Sequence, residues 1–307
     1  MRRLLPLLPF VLLLPACGDD ASDTVEAVDG GSTTNVTTSV PSTTSTTPAA
    51  STTTTSTTTA TTSTTSPTTT TTGPETVGSE LVGRWAHYDV VAYEDGDLKT
   101  LIISYGFNDF DEVDGQVVDT AQFCFSEQRT DQPIETSLSD AATQAIKPPP
   151  TPITVDVVDG TLRIQRPATP TPVGIRLDHP ANESLPTDPD DPRIVDDDGD
   201  GNPGLTVRIE VSADLTGELY IARREIFAYE AFLTEPDLLT GTVTDDSEQL
   251  VIGASDPIFA TSDANWVQHP DPDKNPIILR RVPGDWDCER LAAERDALFP
   301  PTPDVDW

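Results

Sequence analysis

Beyond Ser79 apolar and polar positions alternate in short runs, and Gly, Pro and Asp separate one run from the next. Alternation with a period of two marks a strand that buries one face. Residues 83–93 read as the first such strand, and Glu94-Asp95-Gly96-Asp97 turns it back into 98–105. A third strand is expected over 116–127. Residues 153–158 and 161–165 flank Asp159-Gly160, a two-residue hairpin signal. Further strands are expected at 173–177, 205–212, 218–229, 241–244, 250–253 and 277–282. Many short strands with turn residues between them predict a mainly β fold, an antiparallel β-barrel or sandwich.

Two stretches break that rhythm. Residues 139–146 read as a short helix, stopped by Pro148-Pro149-Pro150. Residues 286–299 read as a longer one, with Asp285 placed to cap it. Cys288, Leu291, Ala292, Arg295, Leu298 and Phe299 share one face of that helix, which would pack on the outside of the sheet. Alternation along the third strand puts Phe123 and Phe125 on one face and Cys124 on the other. With the phenylalanines in the core, Cys124 faces outward, where a covering helix brings Cys288 to it. The alternative is two separate buried thiols.

The chain before Ser79 has a different texture. Residues 21–78 are nearly all Thr, Ser, Pro, Ala, Gly and acids, with no apolar period and no aromatic residue. Nothing there offsets the entropy of ordering, so residues 17–78 are expected to be a disordered Thr/Ser-rich tether. A flexible coil of that length averages roughly 40 Å end to end. Ahead of it, Met1-Arg2-Arg3 leads into an apolar run that closes on Leu14-Pro15-Ala16-Cys17. A cationic start, a short apolar run and a small residue before the cut make a secretory signal over 1–16. The run from Leu4 to Leu14 is too short to span a bilayer, which takes about 20 residues. No other segment is long and apolar enough.

With cysteine immediately after the cut, residues 1 to about 20 resemble the lipobox of bacterial lipoproteins. The resemblance implies that Cys17 is acylated and becomes the N-terminus, so that the bilayer is a partner through its lipid. The protein would then sit on the cell membrane or outer membrane, facing away from the cytoplasm. The globular part is expected over 79–299, with 300–307 as a flexible tail.

Charge narrows the partners. The chain carries 18 basic and 52 acidic residues, a formal charge of −34. Such a surface repels nucleic acid and anionic headgroups. Export adds a second constraint: with Cys17 taken by lipid, Cys124 and Cys288 are an even pair in an oxidising compartment, where disulfides persist.

The folded segment opens with Leu81-Val82-Gly83-Arg84-Trp85, a Gly-x-Trp at the first strand, and closes with Arg280-Arg281 on a strand followed by a helix. This resembles the lipocalin and calycin plan. The resemblance implies that Gly83 and Trp85 close one end of a barrel, that Arg280 or Arg281 packs across the tryptophan, and that a small apolar ligand sits in the cup. Alternation that puts Trp85 inside also puts His87 and Asp89 inside. Either a bulge intervenes or the interior is polar.

The sharpest local motif is Asp196-Asp197-Asp198-Gly199-Asp200-Gly201-Asn202. Asp at positions 1, 3 and 5 with Gly at 6 is the first half of an EF-hand type of calcium loop, and the Asn202 carbonyl would be the next ligand. Position 12 is Val207 rather than the bidentate Glu. The loop is therefore a calcium site completed from elsewhere or an unmetallated acidic turn. No catalytic constellation stands out: His87, His179 and His269 are scattered, and no nucleophile elbow, phosphate loop or dinucleotide fingerprint occurs. Two readings remain, a non-enzymatic ligand-binding cup and a calcium-stiffened surface interaction module.

Overall fold

The computed structural model describes residues 78–96, 98–260 and 266–307. The signal segment, Cys17 and the tether up to residue 77 lie outside the described residues, as does Asp97 of the first turn. No helix among the described residues is long and apolar enough to cross a membrane.

The chain is mainly β, in one curled antiparallel sheet. After a 3-10 turn at Ser79–Leu81, strands β1 (Gly83–Asp95), β2 (Leu98–Val113) and β3 (Gln116–Thr130) form a meander. An excursion follows through β4 (Glu135–Leu138) and the short helix α1 (Asp140–Ala145), whose first turn is capped by Ser139. The chain returns as β5 (Thr151–Pro152) against β3 and β6 (Thr154–Val158) against β7 (Thr161–Val173). Then come β8 (Leu205–Ser212), the long β9 (Leu215–Glu235) and β10 (Leu238–Asp245). Strands β11 (Glu248–Ala254), β12 (Val267–Gln268) and β13 (Pro276–Arg281) precede helix α2 (Cys288–Leu298).

Pairing runs most of the way round a circuit. From β1 it passes through β2 and β3 to β5 on one side, and through β13, β10, β9 and β7 to β6 on the other; the chain itself, through Ile153, and not pairing, joins β5 to β6. The result is a curled, barrel-like sheet. The first half of β9 leaves this circuit to pair with β8 and β11, and β4 extends that flange.

Several expected boundaries shift. Strands β2, β3 and β9 run well past the expected ends, and a further hairpin turns at Asp114 and Gly115, both with positive φ. The strand expected at 173–177 is not one. Strand β7 ends at Val173, and beyond it only an isolated bridge joins Ile175 to Ile194. Pro167, Pro170 and Pro172 are tolerated in β7 because past Gln165 the strand pairs with β9 alone, so a missing N–H faces no partner. The helix cap is Asp287, not Asp285: its side chain accepts from Arg290 N at 2.8 Å.

Around β1 both faces of the wall are buried. Inward lie Trp85, Phe110, Ile164, Leu239 and Leu279. Outward from β1 lie Ala86, Tyr88, Val90 and Ala92, covered by Leu291 of α2 and by Phe299. Fully burying a side chain of the size of Leu291 contributes about 1.5–3 kcal/mol, which explains why an outward face is apolar. Residues 300–307, expected to be a flexible tail, make contacts here. Trp307 donates Nε1 to Glu94 at 3.0 Å and lies near Lys99 and Lys274.

The disulfide Cys124–Cys288 forms, with Cα atoms 5.3 Å apart. The alternation argument behind it fails in one respect. Pairing steps from Tyr105–Phe125 to Gly106–Phe123, so Cys124 is an extra residue in a β-bulge. Phe123 and Phe125 therefore face opposite sides. Phe123 packs inward on His87 and Phe227, while Phe125 stacks outward on Tyr105 near Arg295 of α2.

Candidate functional site

One end of the barrel is sealed by Trp85. Its ring is fully buried and donates Nε1 to Leu81 O at 2.7 Å. The Arg281 guanidinium lies 4.3 Å from the ring centroid, with Nη1 on Val82 O at 2.8 Å and Nη2 on Glu80 O. Gly83 has φ +125°, a backbone shape that favours glycine, and a Cβ there would stand 3.2 Å from Arg281 Nη1. Arg280 points elsewhere, donating Nε to Leu298 O at 2.7 Å. Of the two arginines, Arg281 is the one that packs across the tryptophan.

Above this plug the interior is polar, with no bulge in β1 to turn His87 and Asp89 away. Asn108 donates Nδ2 to both oxygens of Asp119, at 2.8 and 3.0 Å, so its Oδ1 is the acceptor. His87 must then carry its proton on Nδ1, 2.9 Å from that oxygen, leaving Nε2 bare. Nε2 stands 3.7 Å from Asp89 Oδ1, and both atoms are buried without a hydrogen bond. Gly106 makes room for the imidazole: a Cβ there would lie 2.6 Å from His87 Cε1. Tyr229 donates its hydroxyl to Asp119 at 3.0 Å. Arg166 Nε lies 3.0 Å from Asp119 Oδ2, a charge contact without hydrogen-bond alignment.

Burial decides how these groups titrate. It lowers the His87 imidazole to about 4, against the weaker pull of Asn108 and the Phe107 backbone. It pushes the Asp89 carboxyl well above the ordinary carboxylate range, helped by Glu225 and Asp245. Asp119 also moves up through burial, although Arg166, Asn108 and Tyr229 act in the other direction.

At the opposite end from Trp85, near the end of β1, the barrel opens on a cavity of about 440 Å³. Tyr93, Trp266, Arg223, Asp245, Ser247 and Glu248 are among its walls. The Tyr93 and Trp266 rings tilt together with centroids 5.4 Å apart. Tyr93 donates its hydroxyl to Asp245, which also takes the Ser247 hydroxyl. Arg223, whose side chain is 13% exposed, donates Nε to Glu225 at 2.5 Å and Nη1 to Gln249 at 3.3 Å. Burial works against its charge, but Glu225, Tyr93 and Asp245 more than offset that. Trp266 Nε1 is buried and has no partner. Leaving such a donor unpaired costs about 1–3 kcal/mol.

A larger groove, about 1270 Å³, runs between the end of β3, β4 and the β8–β9 turn. Its Glu127 is already paired with Arg129 and Arg295, and no buried unpartnered polar atom lines it.

The acidic loop gathers as its spacing suggests. Carboxylate oxygens of Asp196, Asp198 and Asp200 lie within 4.8 Å of one another. Asp196 accepts from the backbone N–H of Gly199, Asp200 and Gly201, and Asp200 from that of Asn202. Asp198 Oδ2 accepts from Thr206 N at 3.0 Å, while Oδ1 is buried without a partner. Burial raises the Asp198 carboxyl, and Asp200 and Asp196 beside it add to that. The donor set fits a hard cation at its first three positions. Val207 supplies none at the twelfth, and its strand pairs with Leu138 instead.

Sequence reasoning missed the mouth and the polar line below it. His87 and Asp89 were placed inside by alternation, but Asn108, Asp119, Arg166 and Tyr229 carried no signal among so many acids and scattered polar residues. Comparison with protein-family models, with curated proteins and with solved structures finds no match for this chain.

Proposed function

We propose that this chain is a lipid-anchored, outward-facing binding protein that holds a small ligand at the open mouth of its barrel, without catalysing a reaction on it. The observation that carries the reading is the cavity of about 440 Å³ beside the buried, unpartnered Trp266 Nε1. Binding sites of small molecules are concave, of about 300–1,000 Å³, with a few placed polar groups. The plug of Trp85 and Arg281 at the far end supports the lipocalin-like plan, in which the ligand enters from the opposite side. The Leu14-Pro15-Ala16-Cys17 sequence supports anchoring through acylated Cys17. Mass spectrometry of small molecules that copurify with the protein tests the reading. A ligand whose occupancy falls in Trp266→Phe is expected, and the reading fails if nothing is carried or if occupancy ignores that residue.

The second reading is a surface interaction module stiffened by calcium at Asp196, Asp198, Asp200 and the Asn202 carbonyl. The observation favouring it is the convergence of three carboxylates with Asp198 Oδ1 left buried and unpaired. Those residues would hold the ion, which would screen their mutual repulsion and fix the loop ahead of β8.

A further inference from the structure

We infer that the mouth cavity takes an uncharged, hydroxyl-rich ligand, a mono- or disaccharide by chemical class; this rests on the reading of the mouth as the binding site. Charge excludes the ionic classes first. Arg223 is held by Glu225 at 2.5 Å, and Arg224 is held by Glu248. An anion would have to compete with those carboxylates, on a chain whose formal charge of −34 already repels it. A cation would find the carboxylates engaged, Glu225 and Glu248 by the arginines and Asp245 by two hydroxyls.

A wholly apolar ligand is excluded by what it would leave unpaired. Trp266 Nε1 is a buried donor with no acceptor, which an apolar ligand leaves as it is, and the same ligand would take the water from Arg223, Asp245, Ser247 and Glu248 without replacing their hydrogen bonds. The walls offer acceptors as well as donors. Asp245 uses one oxygen for the Tyr93 hydroxyl and the other for Ser247, and a carboxylate oxygen has a second lone pair for another donor. Only a ligand that donates and accepts from closely spaced positions meets both demands, and a hydroxyl does each. The Tyr93 and Trp266 rings supply the remaining surface. Such rings join an apolar face to a polar tip, which suits the C–H face of a sugar ring.

The test uses full-length protein and four probes: glucose, N-acetylglucosamine, glucuronate and the apolar N-phenyl-1-naphthylamine. Saturation-transfer NMR should detect saturable binding of at least one neutral sugar. Trp266→Phe, which keeps an aromatic ring and removes the N–H, should weaken it about tenfold, the equivalent of one buried hydrogen bond. Asp245→Asn, which removes a carboxylate acceptor at nearly constant size, should weaken it as well. Glu218→Gln, in the distant groove, should not, and near-ultraviolet circular dichroism checks that each variant is folded. If only glucuronate or the naphthylamine binds, with the same dependence on Trp266, the ligand class is overturned and the mouth stands as a site. If no probe binds and no copurifying molecule depends on Trp266, both fall.

Discussion

The Arg281 guanidinium lies 4.3 Å from the centroid of the Trp85 ring and ties down the carbonyls of Val82 and Glu80 on the segment that carries the tryptophan. One side chain thus joins the last strand to the first at the Trp85 end of the sheet. Its neighbour Arg280 holds only Leu298 O.

Arg281→Ala should therefore cost more than Arg280→Ala. Cation–π packing contributes about 0.5–2 kcal/mol, and hydrogen bonds from a charged donor add to it. Because the side chain is 28% exposed, an overall loss of about 2–3 kcal/mol is expected. Urea unfolding measures it, and equal losses for the two variants would remove Arg281 from its role as the plug.

The Asp119–Arg166 pair is almost wholly buried, at 0% and 1% exposure. Removing one member strands the other's charge, so Arg166→Met should destabilise by about 3–5 kcal/mol. The double change Arg166→Met with Asp119→Leu should recover much of that loss. A double variant no better than the single would show that the pair is not the source of the cost.

Acid should weaken the fold through His87. Its folded pKa is depressed to about 4, below the unfolded value of about 6.5. Its contribution is complete above the unfolded value and is lost as pH falls toward the folded one, because only the unfolded chain takes up the proton over that range. The difference corresponds to about 3 kcal/mol. Asp89, with its pKa raised, has the opposite slope: its contribution is present in acid and declines as pH rises through its folded pKa. Urea midpoints between pH 7 and pH 4 should thus fall more steeply in the native protein than in His87→Gln. Parallel lines would refute the assignment.

If the acidic loop holds calcium, millimolar calcium should raise the melting temperature. The gain is about 2.7 kcal/mol at a hundredfold excess over Kd. Asp198→Asn should blunt it, and magnesium, which demands a tighter octahedron, should do less. A melting curve that ignores calcium reduces the loop to a turn held by its own backbone hydrogen bonds.

Anchoring predicts that Cys17→Ser yields protein released from membranes or stalled with its signal attached. A variant that is processed and still sediments with membranes would sink the lipid assignment.

Much of the fold was legible in the sequence. The alternation in 83–93 marked β1, Asp159-Gly160 marked a hairpin, and the helical face around Leu291 marked α2. Asp114-Gly115 carried the same hairpin chemistry, and reading it would have lengthened β2 to its true end. The disulfide followed from counting cysteines on the expectation of export. These are local signals, set by side-chain period and by the few residues that permit a turn.

Curling of the sheet decided the rest. Alternation put Phe123 and Phe125 on one face, but the bulge at Cys124 is needed only where β3 meets β2, and it sends Phe125 out beneath α2. Whether Arg280 or Arg281 reaches Trp85 depends on the register of β13 against β1, which pairs Trp85 with Arg281. Asn108, Asp119, Arg166 and Tyr229 are spread over more than a hundred residues and become neighbours only when the sheet curls. The mouth likewise needs Tyr93, Arg223, Asp245 and Trp266 from separate strands and a loop. Sequence period states which face of a strand is apolar, and it did so here. What lies across from that face is set by long-range pairing, because the contacts that fix it exist only in the curled, paired sheet.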